Sequence, residues 1–132
     1  MGGPAIVNDK NIPELDNFFV CKFELDDRIW PTTENYFQAQ KSPNNFYQEA
    51  LTKCPPKVAW KAGNTVEIRD NWEDIKVEVM YDANYAKFSQ NPELKEILLS
   101  TAPHEIKFTA STPFWNEKNA EILTKIREEL KD

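Results

Sequence analysis

The chain is poor in the residues on which several common chemistries depend. It has one histidine, His104, and two cysteines, Cys21 and Cys54. With no His/Cys cluster there is no ligand set for zinc or iron, so no metal and no cofactor is expected. His104 sits in an apparent turn, where a Ser-His-Asp arrangement is hard to build. Two cysteines make no disulfide framework; small half-buried thiols in a reducing, cytoplasmic compartment are expected instead. Glycine is scarce as well: of three, Gly2 and Gly3 stand together near the start. Neither a G-x-G-x-x-G turn nor a P-loop can be assembled, so side chains must do any phosphate binding. No apolar run nears the ~18–20 residues of a membrane span. No basic-then-apolar leader opens the sequence, and Ile6 stands where a myristoylation signal needs Ser or Thr. Basic residues are in the minority, 16 against 22 acidic, for a net charge of −6. Such a chain repels a phosphate backbone overall, which disfavours a general nucleic-acid coat protein but leaves room for a local basic pocket.

What remains fits one α+β domain, mostly helical with a small sheet. A length of 132 residues suits a single core. Residues 1–14 read as an N-terminal arm, with the domain proper over 15–132. Phe19, Cys21, Phe23 and Leu25 share one face of an alternating run, a half-buried strand. Asp26-Asp27-Arg28 turns it, and Ile29-Trp30 returns. Pro31-Thr32-Thr33-Glu34 opens a helix through Lys41, with a Thr as cap and Glu34 at the positive end of the dipole. Short helices follow over 44–51 and 57–61. A long one spans about 70–88, its apolar stripe made by Trp72, Ile75, Val79, Met80, Ala83 and Ala86. Asn91-Pro92-Glu93 starts another through Leu99. Ile106, Phe108 and Ala110 mark a second strand, and a helix over about 116–131 buries Ile122, Leu123, Ile126 and Leu130.

Three segments are dense enough to carry chemistry. On the first helix Glu34, Gln38 and Lys41 fall at i, i+4 and i+7, stacking an acid, an amide and a base on one ridge. A carboxylate there can activate water or steady a developing cation; the plainer alternative is an acid that complements the dipole. Trp72, beside Arg69 and Lys76, either stacks on a flat heterocycle or anchors the core. Trp115, after Thr112-Pro113-Phe114, either walls a pocket or staples the last helix.

The same segments carry a resemblance. Trp30-Pro31-Thr32-Thr33-Glu34-Asn35-Tyr36-Phe37-Gln38-Ala39-Gln40-Lys41 resembles the W-P-T-x-E-x-Y-x-Q-A-x-K signature of the NADAR, or YbiA-like, family. The similarity continues through Asp16-Asn17-Phe18, Arg69-Asp70-Asn71-Trp72, Ala86-Lys87-Phe88, the 98–103 segment and Phe114-Trp115, over about residues 15–131. Members are N-glycosidases of reactive riboflavin-pathway intermediates, or remove ADP-ribose from modified guanine. The resemblance implies Glu34 as catalytic carboxylate and Tyr36, Gln38, Lys41, Trp72 and Trp115 as substrate-binding residues. It also shows departures. The family's acidic residue three before the last tryptophan is Thr112, the Glu after the final strand falls on Phe108, and the arginine after the central glycine is Asn64. The Gly-rich loop shrinks to 116–119, and the N-terminal F-Y segment is absent from 1–14.

Cleaving an N-glycosidic bond requires stabilising an oxocarbenium-like sugar while water attacks, and protonating the leaving base. Glu34 can perform one task; Thr112 cannot perform the other, and Glu117 stands as its substitute. Lys41, Lys61, Arg69 and Lys76 are the candidate phosphate contacts. The partner expected is a small-molecule ribosyl phosphate or ADP-ribosylated base, free or in nucleic acid. The alternatives are a binding module of the same fold that has lost turnover, and a plain structural or partner-binding domain.

Overall fold

Two hairpins turn on pairs of residues with left-handed backbone. Asn8 and Asp9 have φ of 51° and 64°, Asp26 and Asp27 of 55° and 62°. Asn and Asp tolerate that region, and two consecutive residues in it match the right-handed twist of the strands they join. The first turn joins β1 (Ala5–Val7) to β2 (Lys10–Ile12); the second joins β3 (Phe23–Leu25) to β4 (Arg28–Trp30). The computed structural model describes residues 2–131. Among them the helices are α1 (Thr33–Ala39), α2 (Asn45–Leu51), α3 (Pro56–Gly63), α4 (Trp72–Gln90), α5 (Pro92–Ser100) and α6 (Pro113–Glu129), with β5 (Ile106–Phe108) between the last two. The class is α+β, as expected.

The segment read as an arm is built into the sheet. β1 lies between β2 and β5, antiparallel to both, with Ala5 opposite Phe108 and Val7 opposite Ile106. Ala5, Val7 and Ile106 are buried on the shared face. The strand read over 18–25 is shorter than its pattern. Burial still alternates from Val20 to Leu25, but ladder pairing covers only Phe23–Leu25. Cys21 N–H reaches one bond further, to Pro31 O at 2.9 Å. Pro31 has no N–H to return, so the ladder stops there. The outer edge of β3 is covered instead by Gln90, whose side-chain amide accepts from Glu24 N and donates to Glu24 O, both at 2.7 Å.

α1 sits at the centre. It packs against α2, α3 and α4, and all seven of its residues are buried. Thr32 caps it as expected, accepting from Asn35 N at 3.0 Å. The helix ends two residues earlier than read, with Gln40 as its C-cap. Phe37 is the apolar hub. Its ring centroid lies 5.1 Å from Trp72 on α4 and 5.0 Å from Trp115 on α6. Three helices thus meet on one aromatic trio, an arrangement worth roughly 0.5–1.5 kcal/mol per pair beyond area burial. α6 begins three residues before the expected Asn116. Thr112 accepts from Trp115 N at 3.3 Å and Pro113 takes the first turn. No helix of the described residues is long and apolar enough to cross a membrane.

Candidate active site

Polar residues at core-facing positions define the centre of the molecule. Glu34 is 0 % exposed. Its backbone N–H donates to Asn17 O at 3.1 Å, and its carboxylate accepts from Gln38 Nε2 at 2.6 Å. Helical spacing places Gln38 one turn below Glu34, so the pair is set by the sequence and fixed by packing. Lys41, on the same ridge, donates from Nζ to Gly63 O at 3.2 Å. Burial pushes the Lys41 pKa down, while the Glu34 carboxylate pulls it back up. The expected acid–amide–base ridge is therefore present. Because burying a carboxylate carries a large desolvation cost, a fully enclosed Glu is retained only where its partners compensate or its charge is used.

Gly63 closes the bottom of this ridge. A methyl group there would lie 1.8 Å from Gln38 Oε1 and 3.3 Å from Lys41 Nζ. Gln38 Oε1 is itself buried without a hydrogen-bond partner. α3 can approach α1 this closely only through a residue with no side chain.

A second buried cluster borders the first. Thr33 Oγ1 donates to Asn17 Oδ1 at 2.6 Å. Asn84 on α4 donates to the same oxygen at 3.1 Å, and Asn17 Nδ2 reaches Asn119 Oδ1 on α6 at 3.4 Å. Asn17, with Asn84, Asn119 and Gly63, was not singled out from the sequence as a site residue. The available signal was a polar residue on an apolar stripe: Asn84 follows Met80 by one turn, and Asn119 lies between Trp115 and Ile122. Lys87 is another such case. Its Nζ donates to Asp16 O at 3.1 Å, and its complete burial pushes its pKa down to about 8.

The remaining expected residues divide into two groups. Trp72 and Trp115 are buried against Phe37, and Lys76 pairs with Glu73 and lies 4.6 Å above the Phe114 ring. Arg69 secures the end of α1, its Nε donating to Gln40 O at 2.8 Å and its N–H to Lys41 O at 2.7 Å. Of these, Arg69 reaches the end of the Glu34 ridge at Lys41, and the two tryptophans reach α1 through Phe37. Others do not. Tyr36 points to the opposite side of α1, donating to Asp26 Oδ2 at 2.7 Å with its ring against Trp30. Burial, then Asp26, pushes its pKa up. Its role in the structure is to pin the β3–β4 turn. Thr112 is exposed and spends its oxygen as the α6 cap. Glu117 is exposed and has no partner among the described residues. Because α6 starts at Pro113, Glu117 belongs to the second turn, not the start, and two residues of helix separate it by about 200° from Trp115. No contact ties it to Glu34. Phe108, at the position of a family glutamate, is buried beside Ala5 in the sheet; Asn64 is an exposed C-cap of α3.

An open cavity of about 630 Å³ lies between α3 and the loop leading into α6, and Glu34, Gln38 and Lys41 are not part of its lining. Thr112 forms part of its wall, together with Phe18, the neighbour of Asn17.

Known proteins share this plan. N-glycosidase YbiA of Escherichia coli (strain K12) is 36% identical over 129 residues, a match covering 89% of this chain and 81% of that protein. A riboflavin biosynthesis protein of Vibrio vulnificus (strain YJ016) is 32% identical over 136 residues, covering 94% of this chain and 37% of that longer protein. The NMR structure of Escherichia coli YbiA superposes with a TM-score of 0.80 at 34% identity, covering 89% of this chain and 77% of that one. The model of the NADAR domain matches residues 7–116, and with it the chain belongs to the NADAR family.

Proposed function

We propose that the chain is an N-glycosidase, a hydrolase of the bond between a ribose phosphate and a base, acting on intermediates of the riboflavin pathway. The observation that carries this reading is the enclosed Glu34 carboxylate, held by Gln38 and by the Asn17 backbone within the segment that resembles the family signature. The names of the relatives supply the reaction class.

In such a reaction the C1′–N bond breaks with its electron pair going to the base, and positive charge spreads over C1′ and the ring oxygen. Glu34, preorganised by a 2.6 Å hydrogen bond, is suited to face that charge or to take the proton of the attacking water. Since it has no exposure, substrate entry requires a covering side chain to move aside. The second acid of the family is absent at Thr112, whose hydroxyl caps a helix. An acid/base partner contributes roughly 10²–10⁴ in rate, so this site suits a substrate whose base leaves readily. A reactive ribosylaminopyrimidine phosphate meets that requirement better than a stable nucleoside. An ADP-ribosylated guanine is the finer alternative. Two free half-buried thiols support a reducing, cytoplasmic setting.

The loss at Thr112 also favours a second reading, a nucleotide-binding module without turnover. One experiment separates the two. The pure protein is incubated with freshly made ribosylaminopyrimidine phosphate and, separately, with ADP-ribosylated guanine DNA, and release of ribose phosphate or ADP-ribose is followed by mass spectrometry. Release that disappears in Glu34→Gln establishes the hydrolase and its substrate class. Retention of ADP-ribose with no release from either substrate establishes the binding module.

A further inference from the structure

Of the four tryptophans in the sequence, three are spent on the core: Trp30, Trp72 and Trp115 are each at most 6 % exposed. Trp60 is different. It is 37 % exposed, makes no ring–ring contact among the described residues, and lines the cavity between α3 and the loop before α6. Lys57 lines the same cavity. The two are three residues apart on α3, so their side chains leave one face of the helix about 5–6 Å apart at Cβ. Lys57 is exposed and has no acidic partner among the described residues. Gly2, Gly3, Phe18, Ala110, Ser111 and Thr112 complete the lining.

Charge distinguishes this cavity from four others. One between α4 and α6 contains Glu78, Asp82 and Glu121 with Lys125; another contains Glu14 and Glu93. A third contains Glu67 and Asp70 with Arg69, and a fourth Asp9 and Glu105 with His104 and Lys107, so acidic residues are present in each. The Trp60 cavity has a lysine and no carboxylate. In a chain of net charge −6, its lining does not repel a phosphate. Its volume of about 630 Å³ lies within the ordinary range of small-molecule sites.

We infer that this cavity is the entry subsite for the substrate, in which Trp60 stacks on the flat heterocycle and Lys57 meets the phosphate. The inference rests on the N-glycosidase reading and adds to it two recognition residues, outside the α1 ridge, for a nucleotide-like ligand. Stacking on an aromatic side chain is sequence-tolerant and worth roughly 1–3 kcal/mol per base, or about 5- to 150-fold in affinity. Lys57 adds a point charge without fixed geometry, so it selects for phosphorylation rather than for one phosphate orientation. Thr112, on the same wall, places the altered half of the site against the bound base.

The test uses cytidine 5′-monophosphate, an aminopyrimidine nucleotide, as a non-cleaved probe in calorimetric titration. Trp60→Ala is expected to weaken its binding at least tenfold, with Trp60→Phe restoring most of the loss. Lys57→Ala is expected to weaken the nucleotide but not cytidine, and to weaken ribose 5-phosphate, to which Trp60→Ala is indifferent. Lys57 is exposed, so Lys57→Ala should melt with the parent; Trp60 is partly covered, so Trp60→Phe, which keeps an aromatic ring there, is the control for stability. In turnover of ribosylaminopyrimidine phosphate, both variants raise KM and leave kcat within about threefold. Cleavage that depends on Glu34 but has a KM indifferent to Trp60 and Lys57 overturns the subsite and leaves the enzyme. Binding that depends on Trp60, in a protein that cleaves neither substrate, keeps the subsite and overturns the enzyme. Absence of both binding and cleavage overturns both.

Discussion

The two halves of the candidate site are built under opposite constraints. Around α1, polar side chains are enclosed: Glu34, Gln38, Asn35 and Thr33 are each 0 % exposed. At α6, the cap residue Thr112 and Glu117 in the second turn lie at the surface. Inside, each polar group needs a partner of fixed geometry. Asn35 alone donates to the carbonyls of Leu51 and Cys54, both at 2.8 Å. Changing any one leaves another unsatisfied, at about 1–3 kcal/mol. Outside, water takes any vacated bond. Of the positions that depart from the signature, Thr112 and Asn64 are exposed and Phe108 is packed in the sheet. The α1 half is held by packing; the exposed residues of the α6 half are not.

The sharpest way to break this contrast is Glu34→Gln. Turnover is expected to fall by about 10²–10⁴, with the melting temperature within a few degrees of the parent. A variant that loses its fold instead would mean that Glu34 serves packing, and the contrast would then be structural alone. Gly63→Ala comes next. Its Cβ would collide with Gln38 Oε1, so denaturant unfolding should report a loss of about 1–3 kcal/mol or more. An unchanged midpoint would show that α3 can retreat from α1.

Lys87 extends the buried half to pH. Its pKa falls to about 8, below its value of about 10.4 in an unfolded chain. Between those values the unfolded state binds more protons than the folded one. This contribution to stability is thus fully present above pH ~10.4 and is lost as pH falls through 8. It amounts to something on the order of 3 kcal/mol. Denaturant titrations from pH 7.5 to 10.5 should show stability rising in the parent relative to Lys87→Met. Parallel curves would mean that the ammonium is better solvated than its enclosure implies.

Smaller effects are expected on the exposed side. Thr112→Asp keeps a good capping oxygen and returns a carboxylate to the family's position. Turnover should rise about tenfold with a new acid limb in its pH profile; a flat response would mean that the base leaves without proton assistance. Glu117→Gln should change neither turnover nor melting temperature. A clear fall in kcat would bring that carboxylate back as the second acid.

The sequence disclosed the fold better than the site. Helix positions were legible because caps and apolar stripes are local signals: Thr32 before α1, Asn91-Pro92 before α5, and the Trp72–Ala86 stripe of α4. Boundaries failed where a second signal competed. Thr112-Pro113 is itself a cap and first turn, but the run after it drew the start of α6 to Asn116. The N-terminal hairpin was hidden because its strands have three residues each; its sign was Asn8-Asp9, a pair fit for left-handed backbone. Within the site, Glu34, Gln38 and Lys41 share a helix and follow from spacing alone. Asn17, Asn84 and Asn119 meet from three distant segments, which no local pattern records. Tyr36 sits inside the signature but faces away from the ridge, as a two-residue step along a helix requires.

The position of β1 has a consequence for how the molecule assembles. This strand is the middle of its sheet, and one of its two neighbours is β5, about a hundred residues later in the chain. Residues 5–7 therefore leave the ribosome long before residues 106–108 exist. Until then the sheet has two strands, one edge bare, and no cover from α6. Closing so long a loop is slow, and an unpaired edge is prone to pairing with other chains in the interval. The Glu34 ridge, by contrast, is complete by Gly63. α1 can form early, but the frame that holds Asn119 against Asn17 waits until α6 has been made.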